Sequence, residues 1–199
     1  MSTTPPGKRS YAKRKRQESQ DETRQRIVEA SMHLHEEIGP RATTISAIAQ
    51  RAGVTRLTVY RHFPDETAVF QACTSHWLSL NPPPAPSAWA GVTDPYQRAD
   101  AAIAAFHRYY ASTTAMWMAA HRDVADVPAL QGPMAEFSAL VDEIADDLFR
   151  QFKVRRHRVQ LQATLRHVLA FTTWASLQRL GLDDPGKTKL ARAWIAAVT

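Results

Sequence analysis

The chain has 199 residues, of which 44% are hydrophobic and 22% charged, values that are ordinary for a globular protein. A single cysteine, Cys73, excludes an intrachain disulfide and a cysteine-based zinc cluster, and no apolar run reaches the ~20 residues that a membrane helix needs. The formal net charge is +6, and residues 1–61 carry all of it, with twelve Lys and Arg against six Asp and Glu. This asymmetry favours a polyanionic partner for the N-terminal segment. We expect an intracellular protein with no membrane partner, because the basic N-terminus has no apolar segment behind it.

The first twenty residues contain Pro5-Pro6-Gly7 and a basic run but no hydrophobic periodicity. They are therefore predicted to form a disordered basic tail in the free protein. The basic run consists of Lys13, Arg14, Lys15 and Arg16. We expect these four cations to contact DNA, and the alternative is a solvated tail that only aids solubility.

From Asp21 onward the spacing of apolar residues is helical. Ile27, Ala30, Leu34 and Ile38 recur three or four residues apart, and the Gly-Pro pair at residues 39–40 ends this first helix. Further helices are predicted from Thr44 to Gly53, from Thr55 onward, and from residue 64 to about 78. Five prolines in residues 81–95 then indicate an inter-domain connection.

The rest of the chain is again helical in pattern, and no alternation of period two is long enough to suggest a sheet. The predicted helices cover residues 96–111, 113–121, 134–152, 156–180 and 185–198. The expected fold is all-α with about nine helices. Its predicted division is a tail over residues 1–20, a helix-turn-helix domain over residues 21–73, and a helical domain over residues 74–199.

Residues 44–63 have the pattern of a helix-turn-helix and read TISAIAQRAGVTRLTVYRHF. Small residues at 52 and 53 permit a tight turn, and Thr55 can cap the helix that follows. On that helix Val59 and Phe63 can face the core, which leaves a polar, cationic face outward. Such a face is typical of a recognition helix in a DNA major groove, and the alternative is a helical hairpin with a solvated basic face.

This stretch resembles the signature of the tetracycline-repressor (TetR) family, through Ile48-Ala49, Ala52-Gly53-Val54, Tyr60 and His62-Phe63-Pro64. The resemblance covers about residues 22–72. It implies a three-helix DNA-binding domain, a connecting fourth helix, and a helical domain that binds a small effector and forms a homodimer. The implied protein is a nucleoid-associated regulator of the bacterial cytoplasm. It would most often be a repressor that a ligand releases from a double-stranded, pseudo-palindromic operator.

Carried over by position, the resemblance assigns DNA contacts to individual side chains. Thr44 would bind phosphate through its hydroxyl and the N–H groups of its helix, and Tyr60 and His62 would hold the DNA backbone. Base edges would be reached from the third helix. The residues expected at the DNA are Thr44, Thr55, Arg56, Leu57, Thr58, Tyr60, Arg61 and His62.

Two positions depart from the family pattern. Leu57 stands where glycine or alanine is common, and it either crowds the backbone approach or contacts a thymine methyl group. Glu66 stands where lysine is common at the start of the fourth helix, and it would repel phosphate. We expect the basic tail to compensate by reaching into a flanking minor groove.

Aromatic and histidine side chains in the second half fall on helical stripes and are candidates for an effector pocket. The expected ligand is hydrophobic or aromatic, oriented by His121 or His167, and ordinary core packing is the alternative. The candidate ligand-binding residues are Phe106, Tyr110, Trp117, His121, His167, Phe171 and Trp174.

The last two predicted helices have apolar residues at the spacing of a helical bundle. In the family the equivalent pair forms a four-helix interface with a second copy, and packing within one chain is the alternative. The residues concerned are Val168, Phe171, Ala175, Leu190, Trp194 and Ala197. A dimer reads two half-sites about one helical turn, ~34 Å, or a multiple of it apart.

Other functions are less well supported by the residues. An activator or a chromosome-organising DNA binder of the same family is the first alternative, and an all-helical enzyme is a remote one. His35-Glu36-Glu37 lacks the second histidine of a zinc-protease helix, and no phosphate-binding glycine loop or nucleophile elbow is present. Four carboxylates could suggest a metal, but they alternate with apolar residues as on a solvated helix face. They are Asp142, Glu143, Asp146 and Asp147. We expect no cofactor and no metal.

Overall fold

The computed structural model describes residues 7–199, with side chains at Tyr11 and from Lys13 onward. Over this range the chain is all-α, as the sequence predicts, with ten α-helices where nine were expected. They are α1 (Gly7–Glu37), α2 (Ile45–Ala52), α3 (Arg56–His62), α4 (Glu66–Leu80), α5 (Pro95–Ser112), α6 (Thr114–Asp123), α7 (Pro128–Gln151), α8 (Arg158–Leu169), α9 (Phe171–Arg179) and α10 (Asp184–Ala196), with a short 3₁₀ turn at Pro86–Ala88. None of these helices combines the length and the apolar character needed to cross a bilayer.

Two compact units divide the chain between Leu80 and Asn81. The division falls after α4, beyond the predicted boundary at 73/74, because α4 packs along its length on α1. The ring of Phe70 lies 5.3 Å from that of His35, and the indole N–H of Trp77 donates to Glu36 at 3.1 Å.

Burial raises the pKa of the Cys73 thiol to about 12, so it stays protonated. Its sulfur lies 3.5 Å from His35 Nδ1.

The first helix begins well before the expected start at Asp21. Residues 7–20 are helical in α1, in contrast to the predicted disordered tail, of which residues 1–6 lie outside the described range. Extension of a formed helix is easier than nucleation, and the segment is rich in helix-forming Lys, Arg and Gln. Side-chain pairs four apart add support, with Arg14 at 3.4 Å from Glu18 and Gln17 at 3.0 Å from Asp21. The predicted stop is close: α1 ends at Glu37, and Ile38, beyond the helix, is exposed.

The core of the first unit is built from α1, α2 and α3 with the start of α4. The buried side chains are Ile27, Val28, Ala30, Leu34, Ile45, Ile48, Ala49, Ala52, Val59, Phe63 and Val69. The predicted inward faces of the helix-turn-helix are therefore correct. Burial of this apolar face, rather than intrinsic propensity, stabilises helices as short as α2 and α3.

The second unit differs from prediction at two helix boundaries. The helix expected over residues 134–152 starts earlier, at Pro128, a residue that the first turn of a helix tolerates, and it runs through Gly132 and Pro133. The helix expected over residues 156–180 is two helices, since Ala170 is extended with φ −73° and ψ 141°. Leu169 accepts a 2.9 Å hydrogen bond from the Tyr110 hydroxyl, which gives its carbonyl a partner at the break.

Candidate nucleic-acid interface

The turn between α2 and α3 is fixed by backbone hydrogen bonds at a left-handed glycine. Gly53 has φ 66° and ψ 37°, the conformation that glycine adopts most easily. The Val54 N–H donates to the Ala49 carbonyl at 2.9 Å and the Gly53 N–H to the Gln50 carbonyl at 3.2 Å, which is the Schellman arrangement. The direction in which the chain leaves α2 is therefore fixed by hydrogen bonds within the turn itself.

Threonine hydroxyls cap both helices of the motif. Thr44 Oγ1 accepts a hydrogen bond from the Ala47 N–H at 3.2 Å, and Thr55 Oγ1 accepts one from the Thr58 N–H at the same distance. The hydroxyls of Thr55 and Thr58 also lie 2.9 Å apart. An N-cap of this kind stabilises a helix by about 1 kcal/mol. The Thr44 hydroxyl keeps its own hydrogen available for an external acceptor.

The third helix, α3, is buried on one face and exposed to solvent on the other. Val59 is fully buried and Phe63 nearly so, whereas most side chains of the opposite face are in solvent. Exposed on α3 and at its cap are Thr55, Arg56, Leu57, Tyr60 and Arg61, with Thr58 and His62 half-buried. These are the side chains on α3 and at its cap that the sequence assigned to DNA, and we call them together the α3 face.

Three arginine side chains link α1 to the helix-turn-helix, in addition to the apolar core. The Arg24 guanidinium lies 4.4 Å above the Phe63 ring, a cation–π contact. Arg26 donates to the Ala52 carbonyl at 3.2 Å, at the end of α2. Arg51 binds Glu37 through two hydrogen bonds of 2.6 and 2.7 Å, and this pairing lowers the pKa of Glu37 and raises that of Arg51. These links orient α2 and α3 as one body.

Exposed basic side chains lie on and beside the helix-turn-helix and in the first part of α1. Arg41, Arg56 and Arg61 are exposed beside the helix-turn-helix, and Glu66 is an exposed carboxylate at the start of α4. The four cations Lys13, Arg14, Lys15 and Arg16 are all exposed on α1. A helix about 10 Å wide does not enter a minor groove of about 6 Å. While this segment remains helical, its cations can therefore contact phosphates but not the floor of that groove.

In the second unit, six of the seven candidate ligand-binding residues form one aromatic cluster. Tyr110 lies at its centre, with ring centroids 5.3 Å from Phe171, 5.8 Å from Trp117 and 5.9 Å from Trp174. Phe106 packs on Tyr110 at 5.8 Å, and the exposed His121 stacks on Phe171 at 4.9 Å. Partial desolvation lowers the pKa of His121, and burial raises the pKa of Tyr110.

His167 lies apart from that cluster. It is exposed on α8, where its ring is 6.1 Å from that of Trp194 and within 3.3 Å of the Thr173 hydroxyl. The break at Ala170 separates His167 from the helix that carries Phe171 and Trp174, so the expected stripe of three residues does not exist. The cavity beside His167 has a volume of about 470 Å³ and is lined by Ala163, Thr164, His167 and Trp194.

Two members of the cluster were not predicted. Phe137 is half-buried with its ring 4.2 Å from that of Trp117, and Tyr109 stacks on Phe137 at 6.2 Å. Burial raises the pKa of Tyr109 to about 12. The signal for Phe137 was its spacing from Val141 and Ile144, which continues the buried stripe of α7.

A buried polar group beside the cluster was also missed. Lys187 is 1% exposed; its ammonium donates to Gln178 Oε1 at 2.6 Å and to Asp184 Oδ1 at 2.7 Å, and lies 5.6 Å from the Trp174 ring. In the sequence, Lys187 is one of several cations in a polar helix, and nothing there indicates that it is buried.

Three of the four carboxylates on the acidic face of α7 make interhelical contacts, and Glu143 is exposed. Arg98 pairs with Asp147 at 3.0 Å, Arg166 with Asp142 at 2.9 Å, and Gln162 donates to Asp146 at 2.6 Å. Across the described part of the chain, no group of three or more His, Cys, Asp and Glu could hold a metal ion.

Comparison with known proteins identifies the helix-turn-helix. The family model "Bacterial regulatory proteins, tetR family" matches residues 27–73. The HTH-type transcriptional regulator AcrR of Shigella flexneri is 41% identical over 59 residues, which are 30% of this chain and 27% of that protein. The chain thus spans about a quarter of the length of this curated relative. Both the family model and this relative are described as regulators, the relative as a regulator of transcription.

Solved structures share the fold over most of the chain. A TetR-like transcriptional regulator from Rhodococcus sp. RHA1 has a TM-score of 0.59 at 15% identity, covering 87% of this chain and 93% of that one. NalD of Pseudomonas aeruginosa has a TM-score of 0.58 at 19% identity, covering 90% of this chain and 96% of NalD. Residues 27–73 thus match the tetR family of bacterial regulatory proteins, and the chain shares its fold with these solved structures.

Proposed function

We propose that the chain is a transcriptional repressor of the bacterial cytoplasm that binds a pseudo-palindromic operator as a homodimer and leaves it when a small ligand enters the second unit. The observation that carries the proposal is the α3 face, a cationic surface on a helix whose opposite side is anchored by Val59 and Phe63. A rigid helix with outward arginines has the shape and the charge that the major groove accepts.

Each exposed group of the first unit has a proposed role. Arg56 and Arg61 are placed to bind guanine edges, each through two parallel hydrogen bonds. Tyr60 and His62 hold the backbone on either side of α3, and Thr44 donates its hydroxyl to a phosphate at the start of α2. The cations of residues 13–16 bind phosphates beyond the half-site and offset the repulsion from Glu66.

The proposed dimer uses the outward side of α8 and α10. Of the residues that the sequence placed at the interface, Val168 and Phe171 are buried within the unit, whereas Leu190 and Trp194 are half-buried and are kept in this proposal. The cavity beside His167 and Trp194 is the depression into which a second copy would pack. Two copies related by a two-fold axis would present two α3 helices to successive turns of the duplex.

The proposed effector site is the aromatic cluster. Its described members carry no full charge, and the buried Trp174 Nε1 has no hydrogen-bond partner among the described atoms. We therefore propose an uncharged hydrophobic or aromatic ligand with one hydrogen-bond acceptor. His121 and Phe137 lie at the solvent side of the cluster, where they could admit the ligand and orient it. We propose that the protein represses rather than activates transcription by analogy with NalD, which is described as the secondary repressor of a multidrug efflux pump.

Selection from a random duplex pool tests the regulator proposal directly. The purified protein should recover an inverted repeat and bind it as two copies, far more tightly than bulk DNA. Sedimentation at micromolar concentration should report a dimer. Recovery of no consensus, with binding that follows salt concentration alone, would overturn the proposal in favour of a general polyanion binder.

The effector proposal has its own test on the same operator. Aromatic compounds are screened for release of a labelled duplex, and a releasing compound is then measured against His121→Ala and His167→Ala. We expect weaker release only for His121→Ala, because His167 lies outside the cluster. A compound that is chemically altered by the protein would point instead to an enzyme.

A further inference from the structure

Leu57 is an aliphatic side chain of α3 that lies in solvent. It is 61% exposed, whereas Val59 on the same helix is fully buried. A single exposed leucine is ordinary on a protein surface and needs no explanation by itself. The position of Leu57 among its neighbours is what gives it meaning.

The helix geometry places Leu57 close to the centre of the α3 face. At about 100° per residue, Leu57 and Arg61 point within about 40° of each other, and both lie about 160° from Val59. Tyr60, which is 40% exposed, lies on the other side of Leu57. When α3 enters a major groove with its outward side, Leu57 and Arg61 therefore reach deepest.

The major groove offers an apolar side chain one good partner. Guanine, adenine and cytosine present donors and acceptors at their edges, and thymine adds a 5-methyl group. A leucine against a purely polar edge would strip water without replacing its hydrogen bonds. The cations around Leu57 favour contact between the α3 face and DNA by their charge. The apolar side chain of Leu57, near the centre of that face, then favours one base over the others. On this ground, and resting on the proposed operator binding, we infer that Leu57 reads the 5-methyl group of a thymine in each half-site.

Replacement of thymine by deoxyuridine isolates that contact, because it removes the methyl group and keeps the base pair. Each thymine of the selected operator is replaced in turn, symmetrically in both half-sites, and the Kd is measured. Burial of one methyl group corresponds to about a fourfold change in affinity, hence about fifteenfold for two half-sites. We expect such a loss for the wild-type protein at one symmetric position.

The variant Leu57→Ala completes a double-mutant cycle. It should bind the thymine operator more weakly and show no further loss when deoxyuridine occupies the sensitive position. Leu80→Ala, which truncates an exposed leucine at the end of α4, should keep the full wild-type loss. Both substitutions are at exposed positions, and equal thermal unfolding of the three proteins checks that each is folded.

The outcomes separate the inference from the proposed function. If the wild type and Leu57→Ala lose the same factor at every deoxyuridine position, the methyl contact is absent while operator binding stands. If Leu57→Ala binds the thymine operator as tightly as the wild type, the inference also fails. If the pool yields no operator, the proposed function itself is wrong, and the inference falls with it.

Discussion

The hydroxyl of Tyr110 donates a 2.9 Å hydrogen bond to the Leu169 carbonyl, and both residues are fully buried. In a continuous helix this carbonyl would accept from the N–H four residues on, but Ala170 turns the chain into an extended conformation. Tyr110 thus satisfies the acceptor that the break between α8 and α9 releases. The same ring packs against Phe171 and Trp174, so one side chain orients α9 through both a hydrogen bond and apolar contacts.

Substitution of Tyr110 by Phe should destabilise the protein although it keeps the ring. The Leu169 carbonyl would remain buried without a donor, and we expect the free energy of unfolding in urea to fall by about 1–3 kcal/mol. Tyr96→Phe is the matched control, since the Tyr96 hydroxyl meets Thr199 at an exposed site. Equal, small losses for the two variants would contradict the role given to Tyr110.

Two glycines should respond to alanine with opposite signs. Gly53 has φ 66°, and a methyl group there would meet only Arg26 Nη1 at 3.9 Å, so the effect is conformational and not steric. Left-handed backbone disfavours alanine by about 1–2 kcal/mol, and Gly53→Ala should lower the free energy of unfolding by that amount. Gly132 is inside α7 with nothing within 4 Å of the added methyl. Gly132→Ala should therefore stabilise by about 0.5–1 kcal/mol. Changes of the same sign in thermal or urea unfolding would rule this explanation out.

The helix-turn-helix could be predicted from sequence because its determinants are local. Thr44 and Thr55 cap the helices they precede, and Gly53 ends α2, as the residue types alone indicate. The spacing of Val59 and Phe63 indicated which side of α3 is buried. Once the buried side of α3 is known, its other residues are expected to be exposed. The candidate DNA contacts on α3 could therefore be predicted without tertiary information.

The errors lie where distant residues decide. At the break at Ala170 the Leu169 carbonyl is bonded by Tyr110, about sixty positions earlier in sequence, and no local breaker such as Gly or Pro marks the break. His167 precedes that break and lies beside Trp194, outside the aromatic cluster. The helical start of α1 was missed because exposed charged residues show no periodicity, although their propensity and the Arg14–Glu18 pair favour a helix.

Removal of the basic run on α1 should weaken operator binding through its salt dependence. In the variant Lys13→Gln, Arg14→Gln, Lys15→Gln, Arg16→Gln, the slope of log K against log salt should shrink by about 0.9 for each cation that contacts a phosphate. Glutamine is a good helix former, so α1 should persist in circular dichroism. The base preference recovered by selection should not change, since phosphate contacts carry no sequence information.

An equal loss of charge elsewhere serves as the control for that variant. Arg155, Arg156, Arg179 and Lys189 are exposed in the second unit, and their replacement by glutamine lowers the net charge by the same amount. This control should keep the wild-type slope. Identical slopes for all three proteins would assign the effect of residues 13–16 to solubility and not to DNA.

Acid should destabilise the protein through His107. The side chain is 2% exposed on α5, and its Nδ1 has no hydrogen-bond partner among the described atoms. Burial lowers the pKa of His107 to about 4, and of the charged neighbours Asp184 raises it and Lys187 lowers it further. The unfolded chain therefore binds the proton more tightly than the folded one. The stabilising contribution of the neutral imidazole is complete above the unfolded pKa of about 6.5, and it is lost as the pH falls from there toward about 4.

His107→Leu removes this titrating group, so the free energy of unfolding of the variant should fall less steeply as the pH is lowered. Between pH 7 and pH 4 the wild type should lose on the order of 3 kcal/mol more free energy of unfolding than the variant, since each pKa unit corresponds to about 1.4 kcal/mol. His33→Gln, at an exposed position on α1, should retain the wild-type pH dependence. Carboxylates that titrate in the same range are common to all three proteins, so the difference between curves isolates His107. Parallel curves for the wild type and His107→Leu in urea unfolding at each pH would show that the buried imidazole accepts its proton without loss of stability.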